Sequence, residues 1–228
     1  MNAAELRARL AAPLPYRSSV HGTGAVHGTG AVRGTVIVEN PPAMGAALTS
    51  DDGWTMADQP LVPAAVLVSF VQGAERGILL TKRTAHLTKH AGQVSFPGGR
   101  IDPDDPSPEA AALREAQEEI GLDASLVELA GRLGDYATGT GYRITPILGL
   151  LPEGVELEDL RLTPSPDEVE SVFALPMSVL LDPDAPRRRR AFYRGRWREF
   201  WVWPHPDHYV WGATAAILVH LAERLRGA

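Results

Sequence analysis

No cysteine occurs among the 228 residues. Disulfides and thiolate metal sites are excluded, and a reducing, cytoplasmic setting is allowed. No apolar run approaches a membrane span: the stretch Ala64 to Val71 is far too short. A basic start followed by an apolar core, the mark of a signal peptide, is missing too. The expected location is therefore cytoplasmic, with no membrane partner. Basic charge is not in excess either, since 22 Lys and Arg face 28 Asp and Glu for a net charge of −6. Such a chain is not built to coat nucleic acid. An acidic protein acting on an anionic substrate needs cations at its site.

What is present suffices for one good-sized domain with a small appendage. The stretch from Gly92 to Leu122, GQVSFPGGRIDPDDPSPEAAALREAQEEIGL, organises the rest. Its second half predicts one helix with a defined start and stop. Ser107 suits the N-cap, Pro108 the first helical position, and Glu109 the positive end of the helix. Gly121 stands where a left-handed residue would close it. At helical spacing Leu113, Ala116 and Ile120 share one face. Glu115, Glu118 and Glu119 gather on the other, repelling one another by a few tenths of a kcal/mol (~0.3) per pair. A divalent cation removes that cost, and hard ions such as Mg²⁺ or Mn²⁺ take oxygen ligands and bridge to phosphates. The alternative is a solvated acidic face. Before the helix, Phe96-Pro97-Gly98-Gly99 reads as a strand end turning into a glycine loop, where backbone can approach a metal or phosphate closely.

Gly98-Gly99 followed by Arg114-Glu115-x-x-Glu118-Glu119-x-Gly121-Leu122 resembles the Nudix box, the motif of metal-dependent hydrolases that split a diphosphate linked to another moiety. The run LLTKRTAHLTKHAGQVSFPGG, Leu79 to Gly99, resembles the coenzyme A pyrophosphatase branch. The chain departs from the usual box in one place. Its loop is one residue longer, and Pro106 stands where the loop Glu falls when counted back from Arg114. Asp102, Asp104 and Asp105 are candidates to replace that Glu. Thr88 also stands where the branch usually has Arg.

Elsewhere the chain reads as follows. Asn2 to Ala12 predicts a short amphipathic helix, a packing appendage. Val20 to Thr35 holds HGTGAV twice and part of a third copy, too glycine-rich for a core. His21 and His27 lack a third ligand. Val36 to Val38 suits a short strand and Asn40 to Pro63 a linker. Residues 1–60 are thus set apart from a catalytic domain at 61–228. Ala64 to Val71 predicts a buried strand, turning at residues 72–77 into a returning strand, Ile78 to Lys82. The loop Thr84 to Ala91 follows, before Gln93 to Phe96 enters the sheet. Leu126 to Leu133 and Ile144 to Leu151 predict strands around the loop Asp135 to Tyr142. Residues 166–175 alternate like a half-buried strand, so Glu168 and Glu170 would point the same way. Met177 to Leu181 suits a short helix. Arg187 to Arg190 is a solvated run or a phosphate grip. A hairpin about Arg194-Gly195 follows, with Trp201 and Trp203 either in the core or stacked on a base. Trp211 to Ala215 (WGATA) also resembles the coenzyme A branch, and an apolar helix runs from there to Leu225.

The resemblance implies an α/β fold, the Nudix α/β/α sandwich with a mixed β-sheet. It implies hydrolysis of coenzyme A or a derivative to 3′,5′-ADP and 4′-phosphopantetheine, with Mg²⁺ or Mn²⁺ held by Glu115, Glu118, Glu119 and a carbonyl at Gly98-Gly99, of which Gly99 is chosen. Arg114, Glu118 and Glu168 are the catalytic candidates, Arg114 orienting Glu118. Glu170 is an alternative to Glu168. Lys82, Arg83, His90, Gly98 and Gly99 are candidates for gripping the substrate. The expected partner is a small nucleoside diphosphate derivative, and a homodimer is left open. Three rivals stand beside this reading: a Nudix enzyme for ADP-ribose or a similar substrate, a non-catalytic nucleotide-binding module, and a scaffold centred on the glycine repeat.

Overall fold

The computed structural model describes residues 1–11, 60–87, 91–193 and 196–227. The glycine repeat with His21 and His27, the strand expected at Val36 to Val38, His90 and the turn Arg194-Gly195 lie outside the described residues. Helix α1 spans Ala3–Ala11. The strands that follow are β1 (Val62–Gln72), β2 (Gly77–Arg83), β3 (Val94–Ser95) and β4 (Gly98–Arg100). After helix α2 (Pro108–Ile120) come β5 (Glu128–Arg132), β6 (Tyr136–Ala137), β7 (Tyr142–Glu153) and β8 (Val169–Pro176). Helix α3 (Met177–Leu181) leads to β9 (Arg187–Tyr193), β10 (Arg196–Trp203), β11 (Val210–Trp211) and helix α4 (Gly212–Arg226).

The apolar run of β1 is central because both its faces are covered. It runs parallel to β7, from Val62 opposite Tyr142 to Phe70 opposite Leu150. Antiparallel strands flank this pair, so the sheet is mixed. Along β1, Ala65, Leu67 and Val71 pack under α2, while Val68 and Phe70 pack under α1, α3 and α4. This period of two separates the two cores. Together they make helix–sheet–helix layers, as the resemblance implied.

β1 meets β2 only at its far end, at Phe70–Ile78 and Val71–Gly77. Nearer its start, residues 94–100 wedge the two strands apart. β3 pairs with β2, and β4 pairs with β1. The sheet therefore opens where β2 ends at Arg83 and β4 begins at Gly98. Gly98 and Gly99 lie in a strand, not in the glycine loop expected. A side chain on Gly98 would strike the Ala65 carbonyl at 2.4 Å, so glycine is required for β4 to lie against β1.

Several boundaries also shift, the strand expected at 166–175 running from Val169 to Pro176 among them. The strand expected from Leu126 starts at Glu128, because Ala124–Leu126 forms a 3₁₀ turn whose Ser125 amide donates to Asp123 Oδ1 at 2.8 Å. The expected loop at Asp135 to Tyr142 contains β6. The helix at the amino end does pack: Leu6 and Leu10 are buried in the α4-side core, and Arg7 bridges Glu128 and Glu153. Trp203 is core, donating its indole N–H to the Ala215 carbonyl at 3.0 Å, while the Arg188 guanidinium lies 4.4 Å above the Trp201 ring. Among the described residues no helix is long and apolar enough to cross a membrane.

Candidate active site

The candidate site lies at the open end of the sheet, on the α2 side. α2 starts as its sequence demands: Ser107 has extended backbone and its hydroxyl accepts the Ala110 amide at 3.2 Å, with Pro108 next. It ends at Gly121 with φ 68°, and a side chain there would meet Thr163 Oγ1. Thr163 and Ser165 then donate their amides to the free carbonyls of Ile120 and Glu119, both at 2.8 Å. Capping these carbonyls satisfies the helix end. It also leads the chain to Glu168, whose amide is tied to the Ser165 carbonyl and whose carbonyl accepts from Thr84, both at 3.0 Å.

The three box carboxylates are not equivalent, which corrects the single acidic face read from spacing. Glu119 turns inward beside Ala112 and Ala116 and is only 4% exposed. Its Oε2 accepts the Gly98 amide and its Oε1 accepts Arg83 Nη1, each at 3.1 Å. Burial pushes its carboxyl up to about 7. The Gly98 amide and Arg83 pull it back, and the charges of Glu115 and Glu168 push it further up. Glu115 is half-buried, and burial raises it too, against Arg114, with Glu118 and Glu168 adding. A Cβ on Gly99 would lie 2.4 Å from the Glu115 carboxylate, so the glycine makes room for this side chain. Glu118 is exposed and bonded to Arg114 Nη1 at 3.0 Å.

Arg114 ties the group together. It clasps Asp105 with two bonds, Nε to Oδ1 at 3.1 Å and Nη2 to Oδ2 at 2.9 Å. The same side chain donates to the Arg100 carbonyl, Glu115 and Glu118. Of the three aspartates in the lengthened loop, Asp105 makes the clasp. It also accepts the Asp102 amide at 2.8 Å, which folds the loop back on itself. Arg114 and this amide hold its carboxyl below the usual range. Nothing in the sequence distinguished Asp105 from Asp102 or Asp104.

Lys82 and Arg83 are neighbours with opposite fates. Along β2, Ile78 and Leu80 belong to the α4-side core and Leu79 to the α2-side core. Arg83 accordingly faces α2, reaching Glu119 and, at 3.8 Å, Glu168. Lys82 faces away and binds Glu170 at 2.6 Å. The β8 partner of Arg83 is Val169 and that of Lys82 is Ser171, so Glu170 sits in a β-bulge. The bulge breaks the alternation expected for Glu168 and Glu170. The structure thus brings together Arg83, Gly98, Gly99, Arg114, Glu115, Glu118, Glu119 and Glu168, and leaves Lys82 and Glu170 out.

Four carboxylates sharing one field are hard oxygen donors of the kind Mg²⁺ and Mn²⁺ select. Among the described residues no three acidic or histidine side chains stand in metal-binding array. Instead two guanidinium groups interleave with the carboxylates. The donor set and its charge fit a divalent cation, with the arginines lying between the ligands.

The NUDIX domain pattern matches residues 61–195, more than half of the chain. The chain belongs to the Nudix hydrolase family. It is therefore a pyrophosphohydrolase with the Nudix fold. NudL of Escherichia coli K12, described as an uncharacterized Nudix hydrolase, is 42% identical over 162 residues, covering 71% of this chain and 82% of NudL. NudL of Shigella boydii serotype 4 matches equally. Among solved structures, the MutT protein of Methanosarcina mazei Go1 has 20% identity and a TM-score of 0.42, covering 54% of this Nudix hydrolase and 83% of that chain. The NUDIX domain of Shewanella oneidensis NrtR, solved with ADP ribose, has 19% identity and a TM-score of 0.40, covering 54% and 77%. Overlaps this partial bear no weight for substrate.

Proposed function

We propose that this enzyme hydrolyses the diphosphate of coenzyme A or one of its derivatives, releasing 3′,5′-ADP and 4′-phosphopantetheine or its acylated form. The observation that carries the reading is the convergence of Glu115, Glu118, Glu119 and Glu168 at the mouth formed by Arg83 and Gly98-Gly99. The segment resembling the coenzyme A branch, Leu79 to Gly99, runs along β2, β3 and β4 and so borders that mouth. The cytoplasm, where such a substrate is found, is the proposed location, and residues 61–228 are the proposed catalytic unit, buttressed by α1.

Glu115, Glu118 and Glu119 would hold Mg²⁺ or Mn²⁺, which neutralises diphosphate charge and activates water when bound. The chain's own side chains do the rest. Asp105 fixes Arg114, and Arg114 fixes the directions of Glu115 and Glu118. The Gly98 amide fixes Glu119. Glu168 is solvent-accessible, on an anchored backbone, and takes the proton of the attacking water as one bridging P–O bond breaks. Pre-set charges of this kind lower the barrier without reorganisation.

The test is incubation with coenzyme A, acyl derivatives, ADP-ribose and a dinucleoside polyphosphate, plus Mg²⁺ or Mn²⁺, with products weighed by mass spectrometry. Coenzyme A or an acyl derivative is expected to give the highest kcat/KM, with a 3′,5′-ADP product. Preferred cleavage of ADP-ribose or the dinucleotide would reject the substrate assignment and leave the family untouched.

A further inference from the structure

The two arginines of the site are held very differently. Arg114 makes hydrogen bonds to Asp105, the Arg100 carbonyl, Glu115 and Glu118. Releasing it would break them all. Among the described residues the Arg83 guanidinium makes one close bond, to Glu119 Oε1 at 3.1 Å, and a loose approach to Glu168 at 3.8 Å. It stands at the end of β2, at the mouth of the opening, with its side chain 24% exposed. The other Glu119 oxygen accepts the Gly98 amide. Arg83 thus covers the oxygen of Glu119 that does not face the Gly98 amide, and it bridges carboxylates from two different elements.

A guanidinium and a divalent ion cannot both occupy that place, since two positive charges within a few ångströms repel strongly in a partly buried setting. From this geometry we propose that Arg83 is an exchangeable counter-ion. It neutralises Glu119 and Glu168 until a divalent cation takes them over, and is then handed to the diphosphate of the incoming substrate. A guanidinium fork pairs phosphate oxygens in two-pronged fashion, so the displaced side chain gains a partner as good as the one it leaves. Arg83 would couple the two binding events: it opposes the cation when phosphate is missing and stops opposing it when phosphate arrives. The role rests on Glu119 being a cation ligand, as proposed above. Arg114, locked in its clasp, cannot serve this way.

The experiment measures Mn²⁺ affinity from the paramagnetic resonance of free Mn²⁺, with no substrate present, in the wild type, Arg83→Gln, Arg83→Lys and Glu119→Gln. Arg83→Gln is expected to bind Mn²⁺ about tenfold more tightly than wild type. Arg83→Lys, which keeps the charge and guards against misfolding, is expected between the two, because an ammonium lacks the two-pronged reach. In turnover, Arg83→Gln is expected to raise KM for coenzyme A at least tenfold with a smaller change in kcat. Unchanged or weaker Mn²⁺ binding in both Arg83 variants, with Glu119→Gln binding lost, would overturn the exchange while leaving the cation site standing. Tighter Mn²⁺ binding with an unchanged KM would overturn the hand-over to phosphate. Mn²⁺ binding undiminished in Glu119→Gln would instead reject the cation assignment itself.

Discussion

Helices α2 and α4 cover opposite faces of the same sheet and are built to opposite standards. α4 buries nine of its fifteen residues, and all nine are apolar except Thr214, whose hydroxyl donates to the Val94 carbonyl at 2.9 Å. α2 buries five of thirteen, and one of them is Glu119. Holding that carboxyl at about 7 rather than 4.5 means that its ionised form is disfavoured by about 3 kcal/mol relative to a carboxylate in water. A helix selected only for stability would carry an apolar residue there. The difference teaches that α4 is the anchor, whereas α2 gives up stability for a charge that must sit inside.

The sharpest way to break this contrast is Glu119→Gln. Turnover is expected to fall at least about a hundredfold, roughly 3 kcal/mol in the barrier, while the melting temperature at pH 8 stays level or rises. Loss of both together would make Glu119 a structural residue. The mirror experiment is Leu218→Ala in α4, where the side chain is fully buried. Stability in a denaturant titration is expected to drop by about 3 kcal/mol, with kcat of the folded fraction preserved.

Acid and base should act on the two helices in opposite directions. His220 on α4 is pushed down to about 4 by burial. Its unfolded form binds a proton at higher pH, so stability falls as pH drops from about 6.5 through 4, by about 3 kcal/mol, and His220→Gln should flatten that slope. Glu119 is raised instead. Its contribution is present at low pH and is lost as pH climbs from about 4.5 through 7. Added Mn²⁺ should therefore raise the melting temperature more at pH 8 than at pH 5; equal shifts would count against Glu119 as a ligand. The smallest effect is expected at Lys82→Ala, which removes the partly exposed pair with Glu170. Its kcat/KM should stay within about twofold of wild type, since such pairs contribute ~0.5 kcal/mol.

Features governed by neighbours along the chain were readable in advance. The caps of α2 at Ser107 and Gly121, the buried run of β1 and the hairpin into β2 all depend on local backbone preference and on which faces are covered. Features set by distant packing were not. Glu119 shares its spacing with Glu115 and Glu118, and only the approach of β4 and Arg83 turns it into a buried group. Alternation placed Glu168 and Glu170 on one face, but a single bulge opposite Lys82 and Arg83 separated them. Asp105 was one of three aspartates until the loop folded it onto Arg114.

By itself the sequence determined the chemistry on offer: carboxylates rather than thiols, a double glycine, and a helix capped to carry both. A residue's type and its nearest neighbours suffice for that. Which oxygen faces which cation was decided only when the 94–100 wedge parted β1 from β2. Burial and charge are properties of everything packed around an atom, and most of that comes from far along the chain.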